Sequence, residues 1–201
     1  MLIMYGRAGK MAPGRNEYGG GLSLSPNTIR INRAPVLTLW AAVVAEHLGF
    51  DHDEALTLGK AVAGLNAQTK GRSLGIYGPP KVSEGEAAKK QPRGEEFWIE
   101  VCGRPVPAKN TDDGIRAVIG DKPIAPAGVE RYIQGKFGAD LDAVQNAMDE
   151  LAGSFSPEEL ASRAYRLYEA FRPEVSPGIK GWGQPGELDP EKIRSLARGP
   201  G

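Results

Sequence analysis

The sequence predicts a mainly α-helical fold: a helical domain built on a helix-turn-helix-like hairpin, with one small β element near residues 97–107 and long Gly/Pro-rich loops. Apolar residues recur at the 3.6-residue period of a helix over 35–68, 128–152 and 157–171. Only the segment around Phe97 has the aromatic and β-branched composition of a strand. The 27 glycines and 16 prolines cluster outside the periodic segments, which predicts long irregular connections.

The strongest pattern covers residues 35–70, where it predicts two helices joined by one tight turn. Pro35 suits the first turn of a helix, and Gly49 suits the left-handed residue that ends one. Asp51 or Asp53 can cap the second helix. The side chains that we expect this hairpin to bury are Leu39, Trp40, Val43, Leu58, Val62 and Leu65.

The remaining segments are shorter. Residues 27–33 alternate in polarity, which fits a short strand or an extended lead into the first helix. Thr111, followed by two aspartates, predicts the cap of a short helix over 115–119. Ser156 and Pro157 predict the start of a helix that stops before Pro173.

The domain organisation follows from this distribution. We expect a flexible basic N-terminal arm over 1–26 and a single mainly helical domain over 27–201, with a possible sub-boundary in the loop 78–94. No apolar run approaches the roughly 18 residues of a membrane span, so we expect no membrane partner and a cytoplasmic location. The single cysteine, Cys102, excludes an intramolecular disulfide.

Charge is balanced overall but unevenly distributed. The chain has 25 Lys and Arg against 25 Asp and Glu. Bases predominate over 1–34 and 69–93, whereas 138–160 carries acids and no base. An antiparallel hairpin brings both basic segments to one end, where they can contact phosphates. The predicted nucleic-acid-binding residues are Arg30, Arg33, Lys70, Arg72 and Lys81.

The turn around Gly49 partly resembles the DNA-binding helix-turn-helix. The resemblance covers about 20 residues and rests on Ala45, Leu48, Phe50, Ala55 and Leu58. It implies a second helix that enters the major groove of DNA. However, that helix would begin with the acidic sequence DHDE, whereas base edges are read by Arg, Lys, Asn or Gln. Plain packing of a helical hairpin explains the same pattern.

Motifs of catalysis are missing from the sequence. It contains no phosphate loop, no nucleophile elbow and no zinc-protease motif, and only two histidines, His47 and His52. We therefore expect a non-catalytic binding or regulatory module for DNA or RNA, with no cofactor and no metal. One alternative is a protein-protein adaptor or homodimer that uses the acidic helical face 138–160. The other is a small hydrolase-like enzyme whose site consists of the carboxylates of Glu95, Glu96 and Glu100 together with Arg104.

Overall fold

A computed structural model of the chain describes residues 28–73, 96–175 and 183–197. The helices are α1 (Arg33–His47), α2 (His52–Ser73), α3 (Pro126–Phe137), α4 (Leu141–Gly153), α5 (Pro157–Phe171) and α6 (Pro190–Ala197), with a 3-10 turn (Gly138–Asp140) between α3 and α4. The strands are β1 (Ile29–Ile31), β2 (Phe97–Val101), β3 (Arg104–Thr111), β4 (Gly114–Ile119), β5 (Lys122–Pro123) and β6 (Gly186–Leu188). The predicted arm 1–26 and loop 78–94 lie outside the described residues.

The fold is mixed α/β, so the predicted mainly α-helical class is wrong. Helices account for 62% of the described residues and predominate, but the six strands form two antiparallel sheets. One sheet has the order β2-β3-β4-β5, and the other pairs β1 with β6. The single small β element expected near 97–107 is thus half of a four-stranded sheet.

The error comes from the segment after Thr111. The helix predicted over 115–119 is strand β4, which pairs with β3 so that Ala108 faces Ala117 and Thr111 faces Gly114. Gly114 has φ +103°, a conformation that glycine favours in tight turns. The Thr111 hydroxyl donates a hydrogen bond to the carbonyl oxygen of Gly114, 2.7 Å away. The polar Thr-Asp-Asp-Gly sequence therefore closes a β-hairpin instead of capping a helix.

The α1–α2 hairpin supplies the centre of the core. Leu39, Trp40, Val43, Leu58 and Val62 are buried as predicted, and Leu65 is half-buried. The indole Nε1 of Trp40 donates to the carbonyl oxygen of Ala164, 2.8 Å away, which anchors α5 on α1.

The predicted termini of this hairpin differ slightly from the observed ones. Helix α1 begins at Arg33, two residues before Pro35, and Gly49 in the turn has φ +99°.

Strand β1, one of two possibilities for residues 27–33, pairs antiparallel with β6. Within the described ranges, no helix is long and apolar enough to cross a membrane.

Candidate anion-binding pocket

A pocket of about 210 Å³ opens where α1 begins and the last turns of α2 pass beside it. Its described lining residues include side chains that donate hydrogen bonds and no carboxylate. The residues that line it are Asn32, Arg33, Ala34, Leu37, Ala63, Asn66, Ala67, Lys70, Val175, Gly183 and Gln184. The hairpin thus brings Arg33 and Lys70 together, as the sequence predicts.

The N-terminus of α1 opens onto this pocket. Its cap residue Asn32 makes no side-chain capping hydrogen bond, and the next two residues, Arg33 and Ala34, line the pocket as well. Backbone amides at the start of a helix have no partner within the helix and carry partial positive charge. This end of α1 therefore favours an anion in the pocket.

Arg33 is held in place from two sides. Its Nε donates to the carbonyl oxygen of Pro173, 3.0 Å away, and its own carbonyl oxygen accepts a hydrogen bond from the Tyr168 hydroxyl at 3.2 Å. The guanidinium Nη atoms of Arg33 have no carboxylate partner in the part of the chain that the structure describes. Arg33 can therefore donate to a ligand without first breaking an ion pair.

Lys70 experiences an excess of positive charge. Burial, together with the nearby Arg172 and Arg33, lowers the pKa of Lys70, and Glu169 acts in the opposite direction. Glu169 is engaged by Arg172, whose Nη1 donates to its Oε1 at 2.9 Å. Among the described residues, neither Arg33 nor Lys70 forms an ion pair with a carboxylate, and an anion between them would relieve their repulsion.

Asn66 adds a neutral donor on the same face of α2 as Lys70. Its Oδ1 accepts hydrogen bonds from the Tyr165 hydroxyl at 3.2 Å and from Arg104 Nη2 at 3.5 Å. These two donors fix the amide orientation, so that its Nδ2 group is available to the pocket. Asn66 was not among the predicted binding residues, although its position one helical turn before Lys70 places both side chains on the same helix face.

The other predicted nucleic-acid-binding residues lie around the pocket or outside the described residues. Arg30 is exposed on β1, where Glu187 of β6 is its direct cross-strand partner. Arg72 is exposed in the last turn of α2, two residues after Lys70. Lys81 lies outside the described residues. Among the predicted residues that the structure describes, Arg33 and Lys70 are thus the two that line this pocket.

The beginning of α2 is committed to packing against the sheet. Glu54 Oε1 accepts a hydrogen bond from the backbone amide of Ile115 at 2.7 Å, and the Thr57 hydroxyl accepts one from Ala117 at 3.1 Å. In a helix-turn-helix, this end of the second helix would face base edges. The contacts with β4 favour the interpretation of the hairpin as part of the core.

The predicted carboxylate site is not assembled among the described residues. Glu100 is exposed on β2, where it alternates with more buried residues. Glu96 directly precedes β2, and its Oε1 lies 3.4 Å from Lys109 Nζ. Arg104 pairs with Val101 on the opposite face. It stacks over Tyr165 with 5.4 Å between the guanidinium carbon and the ring centroid. Glu95 lies outside the described residues.

Several acids of the predicted face 138–160 already have partners. Asp149 Oδ1 lies 3.6 Å from His47 Nε2, and Glu150 Oε2 lies 3.6 Å from Arg194 Nε. Glu159 completes a capping box with Ser156 at the start of α5. Part of this negative charge therefore stabilises the fold and is not free for a partner.

A metal site is also not formed in the described ranges, where no three His, Cys, Asp or Glu side chains are grouped to hold an ion.

Comparison of the chain with known protein families, with curated proteins and with solved structures gave no match. The pocket combines Arg33 and Lys70, which form no ion pair among the described residues, with an amide side chain and a helix N-terminus, an arrangement that suits a phosphate group.

Proposed function

We propose that this protein is a non-catalytic module that binds the phosphate backbone of a nucleic acid through the pocket between Arg33 and Lys70. The observation that carries the proposal is the meeting of these two cations, 37 positions apart in sequence, in a pocket with no carboxylate among its described lining residues. Phosphate contacts of this kind give affinity without sequence preference, because the backbone is the same at every step.

The balanced net charge restricts how such binding can work. A uniformly basic surface would attract nucleic acid over a wide area, but this chain has as many acids as bases. Attraction is therefore local, at the pocket and at the exposed Arg30 and Arg72 that lie close to it in sequence. Few phosphates are then contacted, and the affinity should be moderate.

Binding should be measured by fluorescence anisotropy with labelled mixed-sequence DNA and RNA, single- and double-stranded, at about 50 mM and about 200 mM salt. Lys70→Gln should weaken binding and reduce the slope of log affinity against log salt by about 1. Lys136→Gln is the matched control, because Lys136 is an exposed lysine on α3 that does not line the pocket. It should leave the slope unchanged.

Two results would overturn the proposal. One is the absence of binding to every nucleic acid at the lower salt concentration. The other is an affinity for nucleic acid that neither Lys70→Gln nor Arg33→Gln changes, because the contact with the phosphates would then lie elsewhere. Binding of inorganic phosphate without any binding of nucleic acid would assign the pocket to a small anion and also reject the proposed partner.

A further inference from the structure

A second pocket, of about 160 Å³, lies between α1, α2, α3 and α4, and its described lining residues differ from those of the first. Its lower wall is apolar and consists of residues from four helices: Leu39, Ala42, Val43, Leu56, Ile133 and Leu141. All of these except Leu141 are buried against the core. The pocket is therefore a depression in the core surface that leads to apolar side chains.

The mouth of this pocket is acidic. Glu46 of α1 and Glu130 of α3 lie on its rim, together with His52, Gln134 and Gln145, and no lysine or arginine of the described chain lines it. His52 Nδ1 lies 2.5 Å from Glu46 Oε1, so that one carboxylate already attracts a basic group. Glu130 has a neutral partner, the amide of Gln134 at 3.3 Å.

Negative charge near this mouth is not fully compensated. Burial raises the pKa of Asp149, and the repulsion from Glu46 raises it further, whereas the ion pair with His47 lowers it. The carboxylates of Asp149 and Glu46 therefore repel each other. Glu46 lines the pocket, so a cation at the mouth would offset part of this repulsion.

We propose that this pocket binds a small amphipathic cation, an alkyl- or arylalkyl-ammonium compound whose apolar part rests on the apolar wall while its ammonium group lies between Glu46 and Glu130. The volume limits the apolar part to about the size of a benzene ring, which occupies cavities of about 150 Å³ in other proteins. Charge complementarity selects the cation. The two carboxylates come from different helices, so they face the ammonium group from two sides.

The probe for this site is phenethylammonium chloride, titrated against the full chain by isothermal calorimetry and NMR. We expect a Kd of about 1 mM or tighter, which is appropriate for a ligand of this size. Three analogues separate the contributions: 2-phenylethanol removes the charge, 3-phenylpropionate inverts it, and methylammonium removes the apolar part. Each should bind at least about fivefold more weakly than the probe.

Variants and one spectroscopic signal place the ligand. Glu130→Gln and Glu46→Gln should each weaken the probe severalfold, and together they should abolish its advantage over 2-phenylethanol. Glu158→Gln is the matched control, because Glu158 is an exposed acid on α5 away from this pocket. The chain has two histidines, so the imidazole resonance of His52 can be assigned by its loss in His52→Gln. It should shift on addition of the probe.

Several outcomes would overturn this proposal without affecting the phosphate pocket. The first is that the probe and the neutral alcohol bind equally. The second is that the probe still binds when both glutamates are substituted in a variant with native circular dichroism. The third is that the probe does not bind at a concentration of about ten times the expected Kd. Self-association that competes with the probe would assign the pocket to a second copy of the chain instead.

Discussion

Gly59 of α2 and Thr38 of α1 are in backbone contact at the point where the two helices of the hairpin cross. A Cβ atom at position 59 would lie 2.4 Å from the carbonyl oxygen of Thr38 and 2.9 Å from the amide nitrogen of Ala42. These are backbone atoms, which cannot move aside as the end of a flexible side chain can. The absence of a side chain at Gly59 therefore sets the distance between α1 and α2, and with it the position of both pockets.

Gly59→Ala should destabilise the protein by about 2 kcal/mol or more, because a methyl group in this contact forces the helices apart. Gly64→Ala is the matched control on the same helix, since a Cβ there would meet nothing within 4 Å. It should stabilise the protein by about 0.5–1 kcal/mol through its higher helix propensity. Urea unfolding of both variants measures the difference. Equal effects at the two positions would contradict the proposed contact.

The hairpin could be predicted from the sequence because its signals are local. Its apolar side chains follow the helical period, its turn contains Gly49, and basic residues occur at both ends, so the meeting of Arg33 and Lys70 followed from antiparallel packing alone. Asn66 could have been found by the same spacing, because it lies one helical turn before Lys70 on α2. Gln184 could not be predicted in this way, since it reaches the pocket through tertiary contacts, for which periodicity contains no information.

The sheet was missed for a different reason. Strands β2 and β3 are joined by Cys102 and Gly103, with φ +51° and +66°, a two-residue turn that usually contains Asn-Gly. Pro105 and Pro107 also reduce the strand signal of β3, because proline is disfavoured inside sheets. The Asp113-Gly114 pair at the start of β4 is itself a hairpin signal, but Thr111 and the two aspartates also fit a helix start. The hairpin and the helix start can be distinguished only when the pairing of β4 with its partner strand β3 is known.

The pH dependence of stability should show the raised pKa of Asp149. Because burial and Glu46 raise this pKa above its unfolded value, ionised Asp149 destabilises the folded state at neutral pH, and the destabilisation disappears as the pH falls below the unfolded pKa of about 3.9. The Asp149→Asn variant should therefore have a higher melting temperature than the unmodified protein at pH 7. Near pH 4 the two melting temperatures should be about equal.

Asp142→Asn is the comparison for this prediction. Asp142 is exposed in the first turn of α4, where a negative charge interacts favourably with the helix dipole. Its removal should lower the melting temperature slightly at pH 7. If Asp149→Asn also lowered the melting temperature at pH 7, the pair with His47 would outweigh burial, and ionised Asp149 would stabilise the folded state.

Cys102 should be unreactive in the folded protein. Burial raises the pKa of its thiol to about 12, and only 2% of the surface of Cys102 is exposed. At pH 8 the thiolate fraction is then about 1000-fold lower than that of an ordinary cysteine. Labelling with a chromogenic disulfide reagent should proceed at the rate of unfolding and accelerate with urea. Rapid labelling of the native protein would show that the turn between β2 and β3 opens.

Lys70 should reduce stability while it supports binding. Burial, Arg172 and Arg33 lower its pKa, so that its charged form is less favourable in the folded state than in the unfolded state. This penalty acts below the lowered pKa and is relieved as the pH rises through it. Lys70→Met should therefore raise the melting temperature at pH 7. Lys136→Met, at an exposed position on α3, should change it little.

The same variant separates a binding role of Lys70 from a purely structural one. Inorganic phosphate that occupies the pocket stabilises the folded state by mass action, so it should raise the melting temperature of the unmodified protein and of Lys136→Met. Lys70→Met should start from a higher melting temperature and show a smaller rise on addition of phosphate. The phosphate-dependent rise should also shrink for the unmodified protein as the pH approaches the lowered pKa of Lys70, because the neutral amine attracts the anion less. A Lys70→Met protein that is destabilised but responds to phosphate normally would mean that Lys70 supports the fold and does not bind the anion.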